Sequence, residues 1–445
     1  MTNFFMSALK RVDPEIYNLI KEEEKRQKNV LEMIASENYA SRAVMEALGT
    51  VLTNKYSEGY PGRRYYQGNN FIDSVESLAV SRAQKLFGVP YVNVQPLSGS
   101  PANAAVYMAT LNPGDKIMGL ALAFGGHLTH GAANTFSSRF FKSVPYILGK
   151  DGFLDYDAIE KLAVKEKPQI IICGFTAYPR IVDFARFGKI ADKVGAYLMA
   201  DISHITGLVV AGAHPSPVPY VHIITTTTHK TLRGPRGAII MVTEKGIAKN
   251  SSLPKKIDSA IIPGLQGGPH DNQTAAIAVA LREASTAVFK KYGKQVVENS
   301  KALAKELMRY DFDLVSGGSE NHLILIDLRS KKVNGRVAAI ALEKAGIVLN
   351  YNGVPYDTMP PLYASGIRLG TPAITTRGMK EADMKRIAKW INDAVSEVEG
   401  CMVPKDDKEK RIVLMKEYRE QIENNKTLLE IAKEIKILCA KFPVP

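Results

Sequence analysis

TTTTHKTLRGPRG, Thr225 to Gly237, follows the β-branched run Ile223–Thr226. A lysine therefore stands just past the end of a buried strand, beside His229, and a glycine-proline turn follows it. Similar punctuation recurs on either side. Ile170–Phe175 is a short apolar run after Pro168. Phe184–Val194 has helical spacing and is stopped by Gly195. Ala196–Asp201 is a second apolar run that ends in an acid, and Gly237–Val242 is another. Strands alternating with helices predict an α/β domain with a mostly parallel sheet. Ligands of such sheets bind beyond the carboxyl ends of the strands. Asp201, His229 and Lys230 stand there.

Flanking segments read differently. Asp13 and Pro14 open a helix on which Ile16, Leu19 and Ile20 share a face. Residues 31–70 are rich in Ser, Asn, Gly and Tyr, and NKYSEGYPGRRYYQGNN is a loop with four tyrosines. Such a loop often lines a site, although its aromatics could simply pack locally. After Gly268 a long helical stretch runs from Ala275–Leu281 onward. A strand at Leu323–Leu328, a helix at Arg336–Ala345 capped by Gly346, and a helix at Met379–Val398 follow. The tail from about Lys405 is helical. The expected division is an N-terminal arm and active-site loop over 1–75, a large domain over 76–280 and a smaller α+β domain over 281–445.

With 445 residues, the chain exceeds one ordinary core. No apolar run is long enough to span a bilayer, and MTNFFMSALKRVDPEIY has no long apolar stretch that would make it a secretory leader. Three scattered cysteines argue against a disulfide framework or a zinc site and suit a reducing cytoplasm. The net charge of +13 is dispersed. It fits a solvated surface that attracts small anions better than a nucleic-acid interface. No nucleic-acid or membrane partner is expected.

Lys230 carries the central chemistry. Burial lowers a lysine pKa and yields a nucleophilic amine suited to a Schiff base. A lone buried lysine is more often an ion-pair partner, but four threonines and His229 around it favour the Schiff base. Pyridoxal phosphate would then need a phosphate cradle, an acid beside its ring nitrogen and a flat group on the ring. Ser98-Gly99-Ser100 before a helix with Pro101 in its first turn offers the cradle, though it also reads as a plain capped turn. Asp201 offers the acid, with His204 three residues on; alone it could equally cap a helix. In GGHLTHG, Gly125–Gly131, His127 could stack on the ring, or pair with His130 on a metal, for which a second acidic or cysteine cluster is missing. In SGIRLGTPAITTRG, Ser365–Gly378, Arg368 could fork onto a carboxylate or merely close a turn.

These segments, with LEMIASENY (Leu31–Tyr39), LTNKYSEGYPGRRYY (Leu52–Tyr66), QPLSGSPAN (Gln95–Asn103) and PGLQGGPH (Pro263–His270), resemble the serine hydroxymethyltransferase family across nearly the whole chain. The resemblance implies an aspartate-aminotransferase-like fold and a homodimer, or a pair of dimers, with sites shared between subunits. It implies transfer of the serine hydroxymethyl carbon to tetrahydrofolate, leaving glycine, with pyridoxal phosphate as cofactor. Lys230 would hold the cofactor as an aldimine, with Asp201 at the pyridine nitrogen and His127 on the ring. Ser98, Gly99, Ser100, Thr176 and His229 would contact the cofactor, and His204 and Thr227 would lie by cofactor and substrate. Tyr56 and Gly267 would reach the phosphate in the partner subunit's site. Ser36 and Arg368 would hold the amino-acid carboxylate. Glu58 and Tyr66 would supply an acid–base pair across the interface, with Glu58 also near the folate. Leu122, Gly126, Leu128 and Asn352 would line the folate pocket.

Some positions depart from the family's usual pattern. Leu97 and Phe124 stand where histidine is common, Thr176 where serine is usual, and DISHITG (Asp201–Gly207) where D-M-A-H-V-A-G is usual. Two rival readings remain: a folate-independent aldolase of 3-hydroxy amino acids such as threonine, and an RNA-binding protein on a retired enzyme scaffold. The intact lysine, aspartate and arginine set speaks against the second.

Overall fold

The computed structural model describes residues 8–445. The reading of the N-terminus over residues 1–17 falls partly on residues 1–7, outside the described residues. Strands of the two larger sheets are numbered here in chain order. The first sheet contains β1 (Tyr91–Asn93), β2 (Lys116–Leu120), β3 (Lys142–Tyr146), β4 (Ile170–Ile172), β5 (Tyr197–Asp201), β6 (Ile223–Thr227) and β7 (Ala238–Val242). Their spatial order is β1-β7-β6-β5-β4-β2-β3. Every pairing from β6 to β3 is parallel, while β7 runs antiparallel to both β6 and β1. The carboxyl ends of six strands therefore open on one edge.

Alternation within the strands explains why each reads as an unbroken apolar run. Met118, Ile171, Leu198, Ile224 and Ile239 enter one core. Their immediate neighbours Ile117, Ile170, Met199, Ile223 and Ile240 enter another on the opposite face. Side chains alternate across a strand, so a sheet covered on both faces needs apolar residues at every position. β4 ends at Ile172, three residues before the expected limit. Cys173 still donates its N–H to the Met199 carbonyl at 2.9 Å, and the chain then turns away toward the site.

A second sheet holds β8 (Asp313–Leu314), β9 (Leu323–Asp327), β10 (Asn350–Asn352) and β11 (Gly366–Gly370), antiparallel in the order β8-β9-β11-β10. Its core takes Ile324, Ile326, Ile367 and Leu369 together with Leu31 and Met33 from the N-terminal arm. The arm joins it through a parallel two-residue ladder, Leu31–Glu32 on Ile347–Val348. The long helical stretch after Gly268 is two helices, Asp271–Ala284 and Ala287–Arg309. They break at Ser285–Thr286, where the Thr286 hydroxyl accepts the Phe289 N–H. The second helix spans both cores, with Phe289, Tyr292 and Val296 in the larger and Leu303 and Leu307 in the smaller. The proposed division at 280/281 falls inside the first of these helices. The tail also forms two helices, Lys408–Glu423 and Lys426–Lys441. Among the described residues, no helix is long and apolar enough to cross a membrane.

Candidate active site

Lys230 sits three residues beyond the end of β6. The chain turns back on itself there, with Gly234 N–H donating to the Thr228 carbonyl at 2.7 Å and Arg233 at a φ of 62°. Asn38 donates to the Lys230 carbonyl at 3.0 Å, fixing the backbone from the N-terminal arm. The lysine Nζ donates to Thr227 Oγ1 at 2.9 Å. Burial disfavours its charge and outweighs the opposing pull of Asp201, with Arg368 and Arg236 adding repulsion, so its pKa falls to about 8. His229 is pushed down to about 3, first by burial and then by Lys230, and its buried Nδ1 has no hydrogen-bond partner among the described residues.

Asp201 ends β5 and is held on both oxygens. Oδ1 accepts the Ser203 N–H at 3.1 Å and the Ser203 hydroxyl at 2.6 Å. Oδ2 accepts from Asn103 at 2.9 Å and lies 3.2 Å from His130 Nε2. His130 Nδ1 takes the His127 backbone N–H at 3.4 Å, which leaves Nε2 as the protonated nitrogen that donates to Asp201. Burial opposes the aspartate charge, but these donors and the neighbouring histidines hold the carboxyl below the ordinary carboxylate range.

Ligand atoms of His127, His130 and Asp201 also lie within 4.8 Å of one another, a spacing a metal ion could exploit. The bond from His130 to Asp201, and that between His127 Nδ1 and Thr129 Oγ1 at 2.7 Å, already occupy those ring nitrogens. His127 is lowered to about 4, mainly by burial, and is neutral at pH 7.

Ser98 is the N-cap of the helix Gly99–Thr110, and its side chain makes no capping bond. The first-turn N–H groups and the positive end of the helix are thus free to face an anion. Gly99 is required sterically, because a Cβ there would lie 2.8 Å from Thr227 Cγ2. A shared cavity is walled by Gly99, His127, His130, Phe175, Thr176, Asp201, Ser203, His204, Thr227 and Lys230. A buried amine, an ionised acid, a neutral imidazole and an open helix N-terminus around one cavity suit pyridoxal phosphate.

Arg368, on β11, reaches this cavity's rim. Its Nε donates to Asn350 Oδ1 at 3.0 Å and one Nη to the Thr176 carbonyl at 2.6 Å. Burial lowers it to about 10, so it remains cationic at pH 7. Ser36 lies on a turn whose neighbour Ala35 packs on Gly370 of the same strand, where an added Cβ would come within 2.7 Å of Ala35 Cα. The other arginine of that motif, Arg377, has no place in the site. Its guanidinium donates to the carbonyls of Val30, Lys28, Cys439 and Phe442, tying the first and last helices together.

Tyr56, Glu58, Tyr66 and Gly267 form a separate group. Tyr56 donates to Glu58 Oε1 at 3.3 Å and meets Tyr66 edge-on at 5.2 Å between centroids. A Cβ on Gly267 would lie 3.0 Å from Glu58 Oε1. None of the four walls the Lys230 cavity. Arg64, whose side chain is 4% exposed, clamps their loop. One Nη donates at 2.8 Å to each of the Ser57 and Gly59 carbonyls flanking Glu58, while Nε and the other Nη bind Asp73 and Glu76. Tyr56 and Tyr66 are themselves 56% and 47% exposed.

Leu122 and Leu128 are exposed on the loop that carries His127. Gly126 is pinned by Thr176, whose hydroxyl donates to the Gly126 carbonyl at 3.0 Å. The loop is met from the small sheet by Tyr356, edge-on to Phe124 at 5.1 Å. Gly353, beside Asn352, approaches Ala123.

The serine hydroxymethyltransferase family model matches residues 9–391. A serine hydroxymethyltransferase of Desulfotalea psychrophila is 53% identical over 440 residues, covering 99% of this chain and 96% of that protein. Those of Acidothermus cellulolyticus and Methanosarcina barkeri are 52% and 50% identical, each over 99% of this chain and over 97% and 100% of their own lengths. The chain belongs to the serine hydroxymethyltransferase family.

In this member of the family, the departures have structural consequences. Ser203 hydrogen-bonds Asp201 and accepts the Thr227 N–H at 3.0 Å, joining the ends of β5 and β6. Phe124 gains Tyr356 as a partner. Leu97 contributes its backbone, the N–H donating to Gln266 Oε1 at 3.0 Å. Sequence reasoning missed Asn103, His130 and Ser203. The H-x-x-H spacing did contain the signal for His130, but it was weighed only as a metal pair, for which further ligands were missing, and not as a donor to Asp201.

Proposed function

We propose that this chain is a serine hydroxymethyltransferase, transferring the serine hydroxymethyl carbon to tetrahydrofolate and releasing glycine and 5,10-methylenetetrahydrofolate. Folate-independent aldol cleavage is not favoured by its family. The observation that carries the reading is the convergence of the depressed Lys230 amine, the ionised Asp201 carboxylate and the Arg368 guanidinium on one cavity edge.

Pyridoxal phosphate, when bound, supplies an aldehyde that condenses with amines and a ring that accepts the electron pair left as the serine Cα–Cβ bond breaks. Lys230 would hold it covalently through Nζ. The free N–H groups behind Ser98, Gly99 and Ser100 would hold the phosphate, and His127 would lie against the ring. Asp201 would keep a proton on the ring nitrogen. Thr176, Thr227 and His204 complete the wall, and His229, next to Lys230 in the chain, would also contact the cofactor. Arg368 and Ser36 would bind the amino-acid carboxylate and orient Cα–Cβ. Glu58, with Tyr66, would move the proton between the serine hydroxyl and the reacting folate. Leu122, Gly126, Leu128 and Asn352 would bound the folate.

Because the Tyr56, Glu58, Tyr66 and Gly267 group stands apart from its own Lys230 cavity on an exposed aromatic face, we assign it to a second copy's site in a homodimer. Three free cysteines, Cys173, Cys401 and Cys439, all buried, support a cytoplasmic protein. An absorbance titration tests the cofactor reading. A visible band should appear on adding pyridoxal phosphate, and glycine should shift it to longer wavelength once tetrahydrofolate is present. No band would overturn the reading.

A further inference from the structure

Glu58 stands on a turn whose backbone is gripped by its own chain. The Ser57 and Gly59 carbonyls each accept from Arg64 at 2.8 Å, and the Glu58 carbonyl accepts the Tyr65 N–H at 3.0 Å. Ser57 and Gly59 are buried, whereas Glu58 between them is half-buried. Among the described residues, its carboxylate accepts a hydrogen bond only from the Tyr56 hydroxyl. The turn is fixed and its acid is left free. The Gly59 carbonyl has a second donor, Gln95 Nε2, at 3.0 Å. Gln95 is 2% exposed. Its amide also donates to Glu76 Oε1 at 2.8 Å, and the other oxygen of Glu76 accepts from Arg64 at 2.6 Å. A carbonyl only accepts, so the end of the Gln95 amide that faces Gly59 is its nitrogen.

Gln95 also lies three residues before Ser98, at the approach to the helix N-terminus that faces the Lys230 cavity. Other side chains hold the backbone of that approach. Gln266 accepts the Leu97 N–H at 3.0 Å and donates to the Gln95 carbonyl at 2.9 Å, and Gln273 donates to the Leu97 carbonyl at 3.2 Å. The Gln95 side chain takes no part in this. Both of its hydrogen bonds go to the Glu58 turn and the Glu76 carboxylate behind it. The backbone of Gln95 therefore belongs to one site and its side chain to the other.

We propose that Gln95 is a positioning residue for the reaction in the second copy's site: its amide, oriented by Glu76, holds the Gly59 carbonyl and so sets where Glu58 stands. This rests on the assignment of the Glu58 group to that site. Without the amide, Arg64 alone grips the Gly59 carbonyl and the turn can pivot. Displacing an acid–base group slows proton transfer more than it weakens substrate binding, so kcat should fall more than the KM for serine rises. The chain's own cofactor cradle should be unaffected, because Gln266 and Gln273 still hold it. One short segment, Gln95 to Ser100, thus serves two sites of the dimer.

The test uses holoenzyme. Gln95→Met keeps the length of the side chain and removes its donor. In both subunits it should cut kcat about tenfold or more, with a smaller change in the KM for serine and unchanged visible absorbance of bound cofactor. Mixed dimers then show which site Gln95 serves. Two affinity tags isolate dimers with Lys230→Ala in one subunit, so that the single working lysine meets the Glu58 turn of the Lys230→Ala subunit. Gln95→Met added to the Lys230→Ala subunit should lower kcat about tenfold. Added to the lysine-bearing subunit, it should leave kcat as it was. A loss that follows the lysine-bearing subunit would overturn the proposal, as would equal losses from both or none from either. Glu58→Gln in the same two placements is the control: inactivation from the lysine-bearing subunit would instead overturn the shared-site reading beneath. Should Gln95→Met not fold, Gln95→Asn, one methylene short of Gly59, decides in its place.

Discussion

Arg368 of the small sheet donates to the backbone carbonyl of Thr176, in the segment that follows β4 of the large sheet, at 2.6 Å. The same guanidinium is fixed by Asn350 on the neighbouring strand β10. The cation is therefore aimed before any substrate arrives, and little of its freedom remains to be lost on binding. Arg368→Lys keeps a charge but loses the planar fork. We expect its KM for serine to rise roughly 30- to 150-fold, equivalent to about 2–3 kcal/mol for a charged hydrogen-bonded contact. The visible absorbance of bound cofactor should be unchanged. Steady-state kinetics beside an absorbance spectrum checks both.

Lys230, at about 8 rather than 10.5, predicts the pH dependence of cofactor capture. Only the neutral amine attacks the aldehyde, and about a tenth of it is neutral at pH 7. In stopped-flow mixing of apoprotein with pyridoxal phosphate, the capture rate should rise about tenfold from pH 7 to 9 and then level. A lysine of ordinary pKa would keep accelerating past pH 10. The folded pKa lies below the unfolded one, so the unfolded chain binds more protons between them. The Lys230 contribution to apoprotein stability therefore grows as pH rises from about 8 to about 10.5.

Asp201 is depressed despite its burial, so it stays ionised throughout the neutral range. A depressed carboxyl stabilises the fold above its ordinary pKa, and that stabilisation is lost as pH falls through the lower folded value. Asp201→Asn removes the charge and places an amide where Ser203, Asn103 and His130 all donate. Turnover should fall roughly 100-fold or more. Its urea midpoint should approach that of the wild type as both are acidified.

Sharing of the site between subunits has its own test. Glu58→Gln and Lys230→Ala should each be nearly inactive. Co-refolded in equal amounts, they should recover about a quarter of wild-type activity, because half the dimers are mixed and each carries one intact site. A site built within one chain would recover nothing.

How much of this was legible differs by element. The β5–β6 region was readable because strands covered on both faces need uninterrupted apolar runs, and Asp201 and Lys230 punctuate their ends. The helix Phe184–Val194 was readable to the residue, because Gly195 supplies its left-handed cap. The break at Ser285–Thr286 was not visible, since the apolar spacing continues through it and only a threonine cap marks it. The separation of the Glu58 loop from Lys230 was expected only through the family resemblance, because motif order along a chain says nothing by itself of which copy's site a loop enters. Gln95 went without a role for a related reason: the carbonyl it holds, that of Gly59, lies 36 residues away and only the folded chain brings them together.

The most direct measurement is product stoichiometry. Purified protein loaded with pyridoxal phosphate is given serine with and without tetrahydrofolate, and glycine and 5,10-methylenetetrahydrofolate are quantified together. The account predicts one glycine for each methylenetetrahydrofolate, with turnover that depends on folate and vanishes in Lys230→Ala. Serine cleavage at the same rate without folate would contradict it.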